Sequence, residues 1–85
     1  MTQEKPGNLP EKKFRAGGIS ATVWLNQSTN GEFRTISLER SYTDKSGKWQ
    51  STSNMRVGDL PKANVVIQKA YEYLVFKEQE LFASA

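Results

Sequence analysis

From Leu60 to Phe82 the apolar residues recur with the period of an α-helix. At about 100° per residue from Ala63, Ala63, Val66, Ile67, Ala70, Tyr71, Tyr73, Leu74 and Leu81 fall on one side, and Asn64, Gln68, Lys69, Glu72, Gln79 and Glu80 on the other. That is the stripe of a helix laid on a core. Val65 and Phe76 project to the back, and Val75 and Phe82 lie on a flank. The helix therefore carries more apolar surface than one sheet face requires, and a second copy of the same helix is the simplest partner for the excess.

Upstream the period changes to two. Ile19, Ala21, Val23 and Leu25 alternate with Ser20, Thr22, Trp24 and Asn26, the pattern of a half-buried strand. Asn30-Gly31 predicts a hairpin, because both residues tolerate positive φ. Phe33 to Thr43 forms a second strand, with Arg34, Ile36, Leu38, Arg40 and Tyr42 inward and Phe33, Thr35, Ser37, Glu39 and Ser41 outward. Asp44-Lys45-Ser46-Gly47 is a turn, and Trp49 to Val57 returns as a third strand. There Met55 and Val57 face inward, while Gln50, Thr52, Asn54 and Arg56 face outward. Gly58 and Asp59 end that strand, Asp59 or Leu60 takes the N-cap position, and Pro61 fits the first helical turn. Phe14 to Ala16, ahead of Gly17-Gly18, is either a separate short strand or the bent start of the next.

These elements predict one α+β domain over residues 14–85: a curved antiparallel sheet of three to four strands, then one C-terminal helix that covers one face and joins a dimer through Val65, Val75, Phe76 and Phe82. Residues 1–13, with Pro6, Gly7 and Pro10 among charges, are expected to be a flexible tail.

Charge changes the picture for the other face of the sheet. The net charge is +3, and residues 12–56 carry eight cations against three carboxylates, +5 within that span. A polyanion would be drawn to the middle of the chain. The outward set is Ser20, Thr22, Trp24, Phe33, Thr35, Ser37, Glu39, Thr52, Asn54 and Arg56, with Lys12, Lys13 and Arg15 at its edge. Cations and small donors of this kind track phosphates, and rings stack on unpaired bases. A solvated antiparallel face has a similar composition, so Trp24 could equally pack against a neighbouring strand.

The chain has no Cys and no His. Thiolate catalysis, disulfides and the usual zinc, haem and iron–sulfur ligands are excluded, and no Ser has a visible activating partner. The chain is expected not to be an enzyme and to need no metal or cofactor. No apolar run approaches the roughly 20 residues that span a bilayer, and no apolar leader is visible in Met1 to Lys13, so the expectation is a cytoplasmic protein without a membrane partner.

The run Ile36-Ser37-Leu38-Glu39-Arg40-Ser41-Tyr42-Thr43-Asp44-Lys45-Ser46-Gly47-Lys48 resembles the second-strand and turn signature of PC4-like single-stranded-DNA-binding proteins, the transcriptional coactivator family. The resemblance spans roughly Phe14 to Phe76 and implies a homodimer whose curved sheets grip single-stranded DNA. Arg40, Tyr42 and Lys48 match motif positions, although alternation turns Arg40 and Tyr42 away from the open face. The expected ligand is single-stranded DNA, with RNA as a further possibility, in transcription, replication or repair. The expected contacts are Lys12, Lys13, Arg15, Trp24, Phe33, Arg40, Lys48 and Arg56. A protein-interaction module without a nucleic-acid role, and a sheet that reads duplex DNA, are the alternatives.

Overall fold

The alternating stretch at Ile19 builds the centre of the fold. In the computed structural model, which describes residues 8–84 and the side chains of residues 8–77, this stretch is β2 (Ile19–Ser28). It is flanked by β1 (Leu9–Ala16) and β3 (Gly31–Thr43). A short β4 (Trp49–Thr52) follows, then a 3-10 turn (Val57–Asp59) that runs straight into α1 (Leu60–Ser84). The sheet is an antiparallel meander in the order β1-β2-β3-β4, and each strand pairs with its sequence neighbours. An α+β domain of four strands and one helix is thus the architecture of the described residues.

The core is small. Ile19, Ala21 and Val23 of β2 pack against Ala63, Val66 and Ala70 of α1, all buried, and Phe14, Ala16, Leu38, Met55, Tyr73 and Leu74 close around them. Alanines at Ala21, Ala63 and Ala70 let the helix lie close to the sheet, and the ring of Phe14 meets Tyr73 edge-on at 6.0 Å. The helix lies over β1 and β2 and scarcely touches β3. Ile67 and Tyr71, expected in the buried stripe, are therefore 47% and 62% exposed. A helix is about 10 Å across, roughly two strands' width, so it covers only half of a four-stranded sheet.

Three expectations change. The tail assigned to residues 1–13 is strand from Leu9 onward, with residues 1–7 outside the described part. Backbone pairing of Leu9 with Leu25 and Lys13 with Thr22 holds the first part of this edge strand in place, where its mostly exposed side chains would not. The third strand stops at Thr52 rather than Val57, and its alternation is lost at the bend that follows. Finally, Asp59 caps a 3-10 turn rather than the helix itself, accepting the Arg56 N–H at 2.8 Å.

Two glycines matter to this framework. Gly17 turns β1 into β2 at φ +60°, which favours a residue without a Cβ. At Gly18 the constraint is space: its carbonyl accepts the Ser41 N–H at 2.8 Å, and a Cβ there would stand 3.0 Å from the Ser41 carbonyl oxygen. The Asn30-Gly31 hairpin forms with only Gly31 at positive φ, while Ser28 ties the turn by accepting from the Asn30 N–H and donating to the Gly31 carbonyl.

Candidate nucleic-acid interface

Cross-strand partners share a face, so the register decides which side chains meet. On the open face Lys13 pairs with Thr22, and Thr22 with Ser37. Arg15 pairs with Ser20, and Ser20 with Glu39; Pro10 pairs with Trp24, and Trp24 with Thr35. Beyond these rows Asn26 meets Phe33, and Thr43 of β3 meets Trp49 of β4. The face thus carries two cations from β1, a field of hydroxyls and three aromatic residues, with the Glu39 carboxylate as the opposing charge.

The middle of the face is more tightly built than a solvated sheet. The Trp24 indole Nε1–H donates to Ser37 Oγ at 2.9 Å, so the ring lies diagonally over β3 and is half-buried. The buried Asn26 amide donates to Thr35 Oγ1 at 3.0 Å and to the Phe33 carbonyl at 3.3 Å, and Ser20 is buried as well. Phe33, 51% exposed, and Trp49, 70% exposed, stand free of such bonds. Trp49 is not among the contacts expected from the sequence. Counting parity back from Met55 and Val57 turns it inward, because nothing in the side-chain pattern marks the bend after Thr52.

The eight expected contacts fall into three groups. Lys13, Arg15, Trp24 and Phe33 lie together on the open face. Lys48 sits in the β3–β4 turn, next to Trp49. There Asp44 accepts the Gln50 side-chain amide at 3.0 Å and the backbone N–H groups of Lys48 and Ser46. These bonds, the Gln50 amide foremost, hold the Asp44 carboxyl below its usual range. The remaining three lie elsewhere. Lys12 pairs with Val23 on the helix side, its Nζ 5.7 Å from the centre of the Phe14 ring, because successive residues of a strand alternate and its neighbour Lys13 takes the open face. Arg40 is also on the helix side, where it donates to the Asn54 carbonyl at 3.2 Å, pairs with Asp59 at 3.4 Å and covers the Tyr42 ring. Arg56 is exposed ahead of the 3-10 turn, off the sheet. Thr52, expected outward, pairs with Arg40 on the helix side.

Of the expected dimer residues, Val65 and Phe76 are exposed and Val75 is half-buried. The Phe82 side chain lies outside the described residues. A second polar cluster is centred on Glu11, the bulged residue of β1. Its carboxylate accepts from Arg34 Nε at 2.8 Å and from the Tyr73 hydroxyl, with Lys77 Nζ at 3.7 Å. The Tyr73 hydrogen bond, then Arg34 and Lys77, hold the Glu11 carboxyl below its ordinary 4.5 against the opposing effect of burial.

Among the described residues no helix is long and apolar enough to cross a membrane, and no group of three or more acidic residues is placed to hold a metal ion. No family model, curated protein or solved structure matches this chain.

Proposed function

We propose that the chain binds single-stranded nucleic acid, DNA foremost, across the open face of β1, β2 and β3 and along the β3–β4 hairpin. The observation that carries this reading is the pair of exposed rings, Phe33 and Trp49, on the face that also presents Lys13 and Arg15. Exposed rings offer stacking platforms to unpaired bases, and paired bases in a duplex offer them no comparable surface. The flanking cations neutralise phosphates without reading sequence. The resemblance of the β3–β4 hairpin to PC4-like proteins points the same way, as does the homodimer it implies.

Fluorescence anisotropy with labelled single-stranded DNA, RNA and duplex tests the reading. Binding of single strands that outcompetes duplex and weakens steeply with salt supports it. Absence of single-strand binding at low salt removes it and leaves the face to a protein partner.

A further inference from the structure

The outer edge of β3 has unused bonding capacity. Among the described residues β4 pairs with β3 only from Arg40 to Thr43, so no strand lies against the far side of β3 from Glu32 to Glu39. In an antiparallel ladder each residue directs its N–H and C=O to the same neighbour, and successive residues alternate. Asp44 N–H donates outward to the Lys48 carbonyl at 2.9 Å, and Ser41 N–H donates the other way, to Gly18. Even-numbered residues therefore face out. Glu32, Arg34, Ile36 and Leu38 present backbone donors and acceptors without a strand to receive them.

The side chains beside this edge are also uncovered. Ile36 faces the helix side yet is 41% exposed, because α1 lies over β1 and β2. Leu60 and Ile67 of α1 are exposed along the same gap, and Met55 and Leu38 line it. Edges of this kind are normally guarded by Pro, Lys or other charges. Between Glu32 and Glu39, which stand at its two ends, there is no Pro or Lys, and the one charge, Arg34, is drawn to Glu11.

We propose that a second copy of this chain docks here, β3 against β3, antiparallel about a twofold axis through Ile36. This register sets Ile36 against its counterpart, Thr35 against Ser37, Arg34 against Leu38 and Phe33 against Glu39, and the ladder ends there because Thr52 already holds the outer side of Arg40. No like charges meet. A register centred on Ser37 opposes Arg34 to Arg40 and needs bonds that β4 already makes, and one centred on Thr35 places Glu32 against Leu38. The second copy also brings its own Ile36 and Leu38, so an apolar strip forms across the axis between the two helices. The back of α1 is a poorer surface. Val65 and Phe76 are about 16 Å apart along the axis, with exposed Gln68 and Lys69 and half-buried Glu72 between them. The assembled sheet is six strands across, about 29 Å, because each β4 lies on the same outer side of β3 as the second copy, and both open faces are on the same side. This inference stands without any nucleic acid.

Because the chain has no cysteine, single introduced thiols report the register directly. Sedimentation of the unmodified protein should give twice the chain mass. On oxidation Ile36→Cys should cross-link to itself, and Thr35→Cys mixed with Ser37→Cys should cross-link to each other, whereas Thr35→Cys alone should not. If Ile36→Cys does not fold, the Thr35 and Ser37 pair on the opposite face decides. A monomer at the highest attainable concentration overturns the proposal. So does a dimer that cross-links through Val65→Cys or Phe76→Cys and not through the β3 positions.

Discussion

Trp24 and Trp49 sit on the same face under different constraints. Trp24 is half-buried and its indole N–H is tied to Ser37, while Trp49 is 70% exposed at the end of the hairpin. Trp49→Ala should leave the thermal midpoint unchanged and weaken single-strand binding by about 1–3 kcal/mol, the contribution of one stacked base. Trp24→Ala should lower both, and Ser37→Ala should cost roughly 0.5–1.5 kcal/mol of stability with little change in affinity. Melting curves beside anisotropy titrations separate the three. Glu11 gives a prediction of another kind. Its carboxyl titrates below its ordinary 4.5 in the folded chain, so its contribution to stability is complete above that value and is lost as pH falls through the depressed one. Glu11→Gln should destabilise the protein at neutral pH and flatten the acid limb of a stability profile; an unchanged limb would assign the acid sensitivity to other carboxylates.

At the scale of elements, what was legible followed from burial. β2 alternates because one face lies under the helix, and the stripe of α1 at Ala63, Val66 and Ala70 repeats because those residues meet it. β1 is legible only at Phe14 to Ala16, since Pro10, Lys12 and Lys13 are held by backbone pairing on a sheet edge, Glu11 by its carboxylate, and none of them carries an apolar period. Lys12 takes the helix side by alternation with Lys13. β4 was read too long because a strand end that no glycine or proline marks leaves no trace in composition. Arg40 matches a motif position, and alternation alone puts it on the helix side; its partners there, Asp59 and Asn54, follow only from the tertiary path of residues 53–59. Gly18→Ala tests the closeness of β2 to the end of β3. With the added Cβ at 3.0 Å from a backbone oxygen, it should cost about 1–3 kcal/mol, read from denaturant midpoints.

For the whole molecule, the sign and place of charge matter more than its sum. Each phosphate neutralised on a single strand contributes a slope of about −0.7 in log affinity against log salt. Lys13→Ala with Arg15→Ala should therefore flatten the salt dependence by about 1.4, while Lys12→Ala, on the other face, should leave it unchanged. Equal effects of all three would place the phosphates along the edge of β1 rather than across the sheet.

Because the strands follow one another in the sheet as they do in the chain, nearly all of the ladder closes over short loops. Such a topology folds quickly, hairpin upon hairpin. The slow step belongs to the connections that span the chain, where α1 meets β1 and β2, among them the Glu11 carboxylate with Tyr73, 62 residues away. The two ends of the fold are thus fastened to each other at the bulge of β1. Loss of that fastening should release the outer half of β1 and the end of α1 together, so their amide protons should exchange with solvent at matching rates, well ahead of those in β2.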